Sequence, residues 1–378
     1  MYNYLRRIDC FLGKTAVILM RLLNVKPLES NIGVNIKKIL CIKLWGFGNL
    51  VVIYPLLNKL KDKFPESELM FMTFSMNKGF LENNQAVGRI FYFEPSLNLF
   101  CILKQVFKFI RLFKKEGVDL LINFETFNIS SALFAYLIKP PIRIGLDSKY
   151  EGVFYTHSVH NDTNEHISKI FSNLLKPLGI NSSYRYSGFQ GTSLDKMKIE
   201  NTLVSLGVKD YICIHPGTSE NYKDKRYHKD CFVALTNLIT SNNSYPVLFT
   251  GTKNEKDLIR EIIGKCSDKN KVFDLSGNLT IWEFIELIRK CRLFISNDSG
   301  PVHAAASLGV NIGVFFGPTT PKRHGPLNEN SLVFYKNTNC SPCVGANYLN
   351  GNCAYGHKCL GFSPQEAYSR ISEKFLND

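Results

Sequence analysis

The sequence lacks an apolar run long enough to cross a membrane. No stretch reaches the ~20 apolar residues that a membrane-spanning helix needs. The best candidate, Thr15–Met20, is interrupted at Arg21. The N-terminal segment also lacks a clean apolar core with a small-residue cleavage site, so it does not match a signal peptide. We therefore expect neither a membrane span nor a secretion signal.

Nucleic-acid-binding modules are missing as well, although the chain is strongly basic. The 378 residues include 46 Lys and Arg against 32 Asp and Glu, a formal net charge of +14. A chain with this excess attracts anions. Because it has neither a zinc-finger spacing nor an aromatic RNA-binding motif, nucleic acid is not expected as a partner. An anionic membrane face and a phosphorylated substrate remain.

Two segments have the pattern of basic amphipathic helices. The N-terminal extension, 1–36, has five basic residues among short apolar groups: Arg6, Arg7, Lys14, Arg21 and Lys26. A later segment has four basic residues on one predicted helix face: Lys104, Lys108, Arg111 and Lys115. Peripheral contact with the inner membrane is one interpretation of both. The favoured interpretations are packing of the extension on the first domain and a solvated face for the second helix.

The eleven cysteines are an odd number and follow two patterns. Three lie in or beside apolar segments and are predicted to be buried thiols, which suits the cytoplasm: Cys41, Cys213 and Cys291. Four others lie near His357 in the C-terminal part: Cys340, Cys343, Cys353 and Cys359. Their spacing leaves zinc or iron–sulfur binding, free thiols and a disulfide open. A metal bound there is expected to be structural.

Strands and helices alternate along the chain in two series. In the first series we predict strands Lys38–Leu44, Leu69–Thr73 and Val118–Phe124, and helices Leu50–Phe64 and Leu99–Lys115. In the second series we predict strands Tyr211–His215, Pro246–Thr250, Lys271–Leu275, Leu293–Ser296 and Ile312–Phe316, and helices Ile281–Cys291 and His303–Leu308. Apolar strands alternating with helices indicate parallel sheets covered on both faces.

The break between the two series predicts two Rossmann-like α/β domains, at 37–185 and 190–365. A linker within Asn181–Asp195 would join them, and a C-terminal helix would follow at 366–378. Ligands of open parallel sheets bind beyond the carboxyl ends of the strands. Two such sheets facing a central cleft would place the chemistry in that cleft.

A glycine turn follows the first predicted strand. Gly46 and Gly48 allow a tight turn and the close approach of a ligand to the backbone. A dinucleotide-binding fingerprint needs a third glycine at position 51, where Val51 stands. A dehydrogenase is therefore not predicted. The turn is either a ligand-binding loop or an ordinary strand-to-helix connection.

A small, hydroxyl-bearing loop follows the strand that ends at His215. Pro216–Ser219 lead into the basic residues Lys223, Lys225 and Arg226. Backbone N–H groups, hydroxyls and a lysine in one place can hold a phosphate. An exposed basic loop is the alternative. A phosphate site is favoured, because the loop lies where α/β proteins bind their ligands.

A third motif turns a strand into a helix at Ser296–His303. Pro301 fits the first helical turn, and Asp298 or Ser299 is expected to cap the helix. The helix start presents N–H groups and a positive dipole end to an anion. Ordinary capping is the alternative. His303 is expected to be structural or a hydrogen-bond donor and not a metal ligand.

These blocks, taken in order, resemble glycosyltransferase family 9, the heptosyltransferases. Between Lys37 and the end of the chain they run GFGNLVVIYPLL, HPGTSENYKDKRY, LSGNLTIWEFIELIRKCRLFISNDSGPVHAAASLGV and VFFGPTTPKRHGP. The C-terminal CSPC and CAYGHKC also resemble a tail found in many members. DSGPVHAAA and FGPT are the specific blocks.

The resemblance implies a GT-B fold and an inverting, metal-independent glycosyl transfer at the cytoplasmic face of the bacterial inner membrane. The donor would be ADP-heptose, and the acceptor a growing lipopolysaccharide core or a related anionic glycolipid. No cofactor besides the donor is implied. The sequence agrees on the metal, because it lacks the Asp-x-Asp pair of metal-dependent glycosyltransferases. Positive protein groups must then stabilise the leaving diphosphate.

The resemblance also places functional residues on this chain. Lys225 would lie beside the donor phosphates, and Thr218 and Ser219 would bond phosphate oxygens. Four residues would line the diphosphate at a helix start: Asp298, Ser299, Gly300 and His303. Three would hold the nucleoside: Gly251, Thr252 and Lys253. The candidates on the acceptor side are Gly46, Gly48 and Glu125.

Asn49 departs from the family pattern. Members usually have an aspartate there, which is thought to act as general base on the acceptor hydroxyl. An amide cannot take up that proton, and general-base help is typically worth ~10²–10⁴-fold. Three explanations stay open. Asn49 orients the acceptor while Glu125, His157 or His166 takes the proton; the proton leaves late and needs little base; or the protein is weak or inactive.

An active enzyme is favoured, because the donor-side motifs are intact. Two other functions stay open. The same fold would also suit transfer of another nucleotide sugar in O-antigen or capsule synthesis. A sugar-nucleotide-binding protein that has lost catalysis is the other alternative, and Asn49 is the residue that supports it.

Overall fold

The computed structural model describes residue 15 and residues 35–126, 128–148, 151–181, 183–243, 245–343 and 353–377. The predicted N-terminal extension, 1–36, therefore lies outside the described residues, apart from Thr15, Asn35 and Ile36. The chain divides into two compact units, with the boundary between Arg185 and Tyr186. In the described ranges, no helix is both long enough and apolar enough to cross a membrane.

The first unit is built on one parallel sheet. Its strands are β1 (Lys38–Ile42), β2 (Glu68–Phe74), β3 (Arg89–Phe93), β4 (Leu120–Asn123), β5 (Ile142–Asp147) and β6 (His157–His160). Their order across the sheet is β3-β2-β1-β4-β5-β6. The helices are α1 (Phe47–Lys63), α2 (Leu99–Glu116), α3 (Ile129–Ile138) and α4 (Ile167–Asn173).

The second unit repeats this arrangement. Its strands are β7 (Ile212–His215), β8 (Val247–Phe249), β9 (Val272–Asp274), β10 (Leu293–Asn297), β11 (Ile312–Phe316) and β12 (Ser331–Tyr335), in the order β12-β11-β10-β7-β8-β9. Its helices are α5 (Ser193–Ser205), α6 (Lys229–Asn242), α7 (Lys256–Lys265), α8 (Ile281–Lys290), α9 (Gly300–Ser307), α10 (Pro321–His324) and α11 (Pro364–Ile371).

Both sheets have the same doubly wound order. In each, the first strand of the unit lies beside the fourth, and every strand pair is parallel. The central strands are apolar on both faces, because helices cover both: Ile39, Leu40 and Cys41 of β1 are fully buried. The predicted α/β fold class with two parallel sheets is confirmed. The thiols of Cys41, Cys213 and Cys291 are buried and free, as predicted.

Four strands escaped the sequence patterns: β3, β5, β6 and β12. Three of them are edge strands, whose side chains are largely half-buried or exposed. The sequence of β6, HSVH, lacks the continuous apolar run of the central strands. β3 and β12 contain apolar runs that were not assigned as strands. The end of the predicted linker is also helical. α5 begins at Ser193 because Thr192 and Asp195 form a reciprocal capping box there.

An ion-pair network joins the amino ends of β1, β2 and β3 to the end of α2. The Glu116 carboxylate lies 2.9 Å from the Lys38 ammonium and 2.9 Å from the Arg89 guanidinium. Arg89 also donates to Glu68 at 3.0 Å. The hydrogen bonds from Arg89 and Lys38 lower the pKa of Glu116 to about 2. The network therefore requires an ionised Glu116 and ties α2 to the sheet.

Replacing Glu116 tests the contribution of this network. Glu116→Gln is expected to lower the free energy of unfolding by about 1 kcal/mol near neutral pH, because the network is partly exposed to solvent. A lowered pKa in the folded state stabilises above the ordinary value of 4.5 and is lost as pH falls towards about 2. The difference from wild type should therefore shrink over that range, measured by urea unfolding.

Glu66 provides the matched control. It is an exposed glutamate that makes no ion pair within the described ranges, so Glu66→Gln should leave unfolding nearly unchanged. An equal loss in both variants, or a Glu116→Gln deficit that stays constant down to acid pH, would contradict the network.

Candidate functional site

The strand order reverses once in each sheet, and this point marks the candidate sites. In the first unit the reversal lies between β1 and β4, and in the second between β7 and β10. Loops that leave the carboxyl ends of these strand pairs run in opposite directions and open a crevice, where α/β proteins bind ligands. The glycine turn follows β1, the basic loop follows β7, and the third motif follows β10.

Glu125 closes the reversal point of the first unit. Its carboxylate lies 3.0 Å from the Lys43 ammonium and accepts the backbone N–H groups of Leu44 at 2.5 Å and Trp45 at 3.3 Å. The side chains of Lys43 and Glu125 are only 2% and 5% exposed. The carboxylate therefore fixes the start of the glycine turn, and both of its oxygens are already bonded.

Asn49 lies over the glycine turn. It is the third residue of α1, and its backbone N–H bonds to the Gly46 carbonyl at 3.0 Å. Gly46 has a φ of +90°, and a Cβ at this position would lie 3.1 Å from the Asn49 side-chain nitrogen. A side chain at position 46 would thus be strained and would press on Asn49. The half-buried amide stands at a helix start, beside exposed backbone.

Three other groups were candidates to take the acceptor proton, and each makes hydrogen bonds within the first unit. Glu125 is bound as described above. His166 is the N-cap of α4, and its Nδ1 accepts the N–H of Ser168 at 3.2 Å. His157 opens the edge strand β6, three strands from β1, and its Nδ1 lies 3.0 Å from the Thr156 hydroxyl. None of these hydrogen bonds includes Asn49.

Lys225 and Asp298 close the reversal point of the second unit. The Lys225 ammonium lies 2.7 Å from the Asp298 carboxylate, which also accepts the Thr319 hydroxyl at 2.5 Å. Burial alone would raise the pKa of Asp298, but the charge of Lys225 and the hydrogen bonds from Lys225 and Thr319 bring it below its usual value. Burial lowers the pKa of His324 to about 3, so its ring is neutral. Asp298 is thus an anion that orients Lys225.

The basic loop between β7 and α6 is fixed at both ends by Asn297. The Asn297 side chain donates to the Pro216 carbonyl at 2.8 Å and accepts the Tyr227 N–H at 2.7 Å. Within the loop, the buried Thr218 hydroxyl donates to the Tyr222 carbonyl at 2.9 Å and accepts from Arg226 at 3.1 Å. Thr218 therefore shapes the loop, whereas its predicted companion Ser219 is exposed.

The start of α9 has no side-chain cap. Ser299 occupies the N-cap position without a capping bond, and its hydroxyl lies 3.2 Å from that of Ser296. Asp298 is occupied by Lys225 and Thr319. The prediction that Asp298 or Ser299 caps this helix is therefore wrong, because both side chains bond within the loop cluster. Gly300, the first helical residue, follows Ser299 beside Asp298. The uncapped start of α9 therefore lies close to Lys225, and both present positive charge.

His303 lies on α9, and its Nδ1 is 3.1 Å from the Tyr186 hydroxyl. The side chain is buried. This contact joins the first residue of the second unit to the helix that follows the third motif. The structural role expected for His303 agrees with this contact, and Tyr186 was not singled out from the sequence.

The segment after β8 is organised by Glu255. Thr252 and Glu255 form a reciprocal capping box, with the Thr252 hydroxyl 2.8 Å from the carboxylate. The same carboxylate lies 3.8 Å from the His215 ring. A Cβ at Gly217 would lie 1.9 Å from the Glu255 carboxylate, so a side chain there would displace Glu255. Gly251 and Lys253 flank Thr252, and the loops after β7 and β8 are packed together through Glu255.

The C-terminal cysteines do not form a metal site in the described part of the chain. No three His, Cys, Asp or Glu side chains in the described ranges are arranged to hold a metal ion. Cys340, Cys343, Cys353 and Cys359 are free thiols. Burial and neighbouring sulfurs raise the pKa of Cys359 to about 11. Residues 344–352 lie outside the described residues, and metal binding here stays a prediction.

His357 ties this cysteine segment to the basic loop. Its Nε2 lies 2.8 Å from the Asp224 carboxylate, which directly precedes Lys225 in the chain. The contact places the C-terminal segment against the loop that carries Lys225, the residue expected to bind the donor phosphates.

Three residues that build the site were missed by sequence reasoning: Asn297, Thr319 and Glu255. Signals for them were present. Thr319 belongs to the block FGPT, Asn297 directly precedes the block DSGPVHAAA, and Glu255 stands three residues after Thr252 in the spacing of a capping box. The partners of Asn297 and Thr319 lie 21 to 81 positions away in the chain, so these contacts have no local sequence signal.

Two parallel α/β units of this order have the architecture of a GT-B fold. The family model described as "Glycosyltransferase family 9 (heptosyltransferase)" matches residues 106–354, more than half of the chain. The chain therefore belongs to glycosyltransferase family 9.

Individual relatives agree with this assignment. Lipopolysaccharide heptosyltransferase 3 of Escherichia coli is 25% identical over 342 residues, which cover 87% of this chain and 95% of that protein. Lipooligosaccharide heptosyltransferase 2 of Campylobacter jejuni is 32% identical over 152 residues, 39% of this chain. That match spans about half the length of the relative, 47%.

A solved structure shows the same fold. The structure of Escherichia coli ADP-heptose lipopolysaccharide heptosyltransferase II has a TM-score of 0.71 with this chain. The superposition covers 90% of this chain and 98% of the other, at 17% sequence identity. The predicted GT-B fold class is confirmed.

Removing the Asn297 side chain tests the fixation of the basic loop. In Asn297→Ala the buried Tyr227 N–H loses its acceptor, and an unsatisfied buried donor costs about 1–3 kcal/mol. We expect a loss of this size in the free energy of unfolding, measured in urea. Asn311→Ala is the control, because the Asn311 amide bonds the Arg292 carbonyl at the opposite edge of the same sheet. A loss no larger than that of the control would contradict the assignment.

Proposed function

We propose that this protein is an inverting, metal-independent glycosyltransferase that moves heptose from ADP-heptose to a lipopolysaccharide core or related anionic glycolipid. The proposal rests chiefly on one observation: Lys225 is held by Asp298 and Thr319 beside the uncapped start of α9. The second unit would bind the donor and the first unit the acceptor. The named donor of the similar solved structure supports ADP-heptose.

Lys225 and the helix start would take the place of a metal ion. A diphosphate leaving group gains negative charge as the sugar bond breaks, and fixed positive groups stabilise that charge. The ammonium of Lys225 and the N–H groups at Ser299 and Gly300 supply such positive groups. Ser219 is exposed in the same loop and would donate a further hydrogen bond. No cofactor besides the donor is required.

Two residues take different roles from those first expected. A carboxylate would repel a diphosphate, so Asp298 would act through Lys225, holding the ammonium in place. Thr218 would likewise act by shaping the loop, since its hydroxyl is bonded to Tyr222 and Arg226. Gly251, Thr252 and Lys253 would hold the nucleoside on the loop that Glu255 fixes. His303 would line the same helix.

On the acceptor side, the glycine turn would receive the sugar hydroxyl. Gly46 is exposed and leaves the backbone of the turn accessible, whereas Gly48 is buried in the first turn of α1. The Asn49 side-chain oxygen would accept a hydrogen bond from the attacking hydroxyl. The hydroxyl oxygen attacks the anomeric carbon from the side opposite the diphosphate, which inverts the configuration. Because an amide takes no proton, the hydroxyl would lose its proton late, to water, after the bond to the diphosphate has largely broken. Glu125 would keep the turn in place.

The reaction would take place at the cytoplasmic face of the bacterial inner membrane, where the protein would make peripheral contact with the bilayer. The excess of positive charge supports an anionic surface or acceptor there. Transfer of another nucleotide sugar would use the same residues. Asn49 is the one observation that favours the further alternative, a sugar-nucleotide-binding protein without catalysis.

Replacing Lys225 tests donor binding. Hydrogen bonds to charged groups contribute ~1.5–3 kcal/mol, so Lys225→Ala should weaken ADP binding about 10–100-fold by calorimetry. Lys223→Ala is the matched control in the same loop. Lys223 is exposed and lies 2.8 Å from Glu220, and its loss should change affinity little. Addition of a chelator should leave wild-type binding unchanged.

These outcomes separate two modes of diphosphate binding. ADP affinity that disappears with chelator but survives Lys225→Ala would mean that a cation and not this lysine holds the diphosphate.

Replacing Asn49 tests catalysis. A carboxylate at the third position of α1 is favoured by the helix dipole and can act as general base, so Asn49→Asp should raise kcat above an already measurable wild-type value. The gain should stay below the full ~10²–10⁴-fold of a general base. Mass spectrometry of the product, with ADP-heptose and truncated core acceptors, gives both rates. A wild type that forms no product, together with an active Asn49→Asp variant, would show that the natural protein has lost catalysis.

A further inference from the structure

Helix α2 exposes an unusual amount of apolar surface. Phe100 and Phe107, seven residues apart on the same side of the helix, are 74% and 61% exposed, and Leu103 between them is 42% exposed. Exposed single apolar residues are common. A row of two phenylalanines and a leucine along one helix is a patch, and patches of this kind mark interaction sites.

Basic side chains run beside this apolar row. They are spaced by four, three and four residues, so they lie on one line along the exposed face: Lys104, Lys108, Arg111 and Lys115. Within the described ranges none of the four makes an ion pair. Like charges four residues apart repel each other, so this face is electrostatically unfavourable until an anion approaches it. Its charge complements a negative surface.

The opposite face of α2 fixes the helix on the first unit. Phe109 and Phe113 are buried, with their ring centroids 6.3 and 5.0 Å from that of Phe91 on β3. Asn98 caps the helix by accepting the N–H of Phe100 at 2.9 Å. Glu116 holds the last turn through its ion pairs. The exposed row is therefore presented by a rigid helix and belongs to no larger buried core.

We propose that this face of α2, the row Phe100–Leu103–Phe107 with Lys104, Lys108, Arg111 and Lys115, docks the protein on an anionic lipid bilayer. The phenylalanine rings and the leucine would enter the interface between headgroups and acyl chains, and the four cations would contact anionic headgroups. As the surface that brings the enzyme to a membrane-bound acceptor, it rests on the proposed function. The docking itself depends only on α2.

The position of the row fits delivery of a lipid-linked acceptor. Phe100, Leu103 and Phe107 lie in the first half of α2, which starts after the carboxyl end of β3. The glycine turn with Gly46 starts after the carboxyl end of β1 in the same parallel sheet. Both therefore lie at the same edge of the first unit. A bilayer at that edge faces the loop proposed to receive the acceptor hydroxyl.

Binding of the full chain to vesicles tests the proposal. Flotation with vesicles of phosphatidylcholine and phosphatidylglycerol should recover the wild type, and vesicles of phosphatidylcholine alone should recover far less. Phe100→Ser with Phe107→Ser should reduce the bound fraction at least tenfold. Lys104→Gln with Lys108→Gln should do the same on anionic vesicles and should flatten the dependence on salt.

Matched control variants separate this face from bulk charge and hydrophobicity. Val204 on α5 of the second unit is 78% exposed, and Val204→Ser should bind vesicles like the wild type. Lys63→Gln with Lys209→Gln removes the same charge as the α2 double variant. Lys63 ends α1 and Lys209 precedes β7, both at the amino edges of the sheets, so this variant should also bind normally. A circular dichroism spectrum and a urea-unfolding midpoint like those of the wild type show that each variant is folded.

The outcomes distinguish the surface from the reaction. Vesicle binding that persists in both α2 double variants would assign docking to another segment, such as 1–34, and overturn the proposal. A wild type that ignores anionic vesicles, or controls that lose binding equally, would also overturn it. A chain that binds vesicles through α2 but transfers no heptose to a water-soluble core acceptor would support the docking surface and contradict the proposed function.

Discussion

A carboxylate that holds a lysine at the point where the strand order reverses is the contact on which the proposed chemistry depends. Asp298 leaves the end of β10 and meets Lys225 from the loop after β7, at 2.7 Å. The two strands are neighbours, yet their loops run apart, so nothing in the backbone alone would fix the lysine. Lowering the pKa of Asp298 keeps the anion charged, and the ammonium is positioned before any ligand arrives. Preorganised charge of this kind is what stabilises a leaving diphosphate.

The first unit also has a lysine–carboxylate pair at its reversal point, but this pair has a different role. Lys43 and Glu125 meet at the corresponding reversal point, but both are buried and the carboxylate also binds two backbone N–H groups. Removal of either partner would leave a buried charge without compensation. This pair therefore fixes a loop, whereas the Lys225–Asp298 pair keeps its lysine close to solvent, with 16% of the side chain exposed. One topology thus supplies a fixed turn in one unit, proposed to receive the acceptor, and a lysine in the other, proposed to bind the diphosphate.

Much of this fold was predictable from local pattern, and the reasons for the misses are physical. Central strands such as β1 and β11 are continuous apolar runs, and Ile312–Phe316 was predicted to the residue. The edge strand β6, with the sequence HSVH, carries no such run. Within the site, the residue types were visible, but their pairings were not. The partner of Asp298 lies 73 positions away, and that pairing explains why the carboxylate cannot cap α9.

The contacts of Glu125 sharpen the question that Asn49 poses. If Glu125 were the base, it would have to leave Lys43 and two backbone N–H groups and thereby loosen the turn that is proposed to receive the acceptor. That movement would disturb the proposed alignment of the acceptor hydroxyl with the sugar. Faster proton transfer would then be offset by poorer alignment of the reacting groups. A mechanism in which the rate depends on departure of the diphosphate and not on proton removal avoids this conflict. Lys225 and the start of α9 then carry the barrier, and Asn49 has only to orient the hydroxyl.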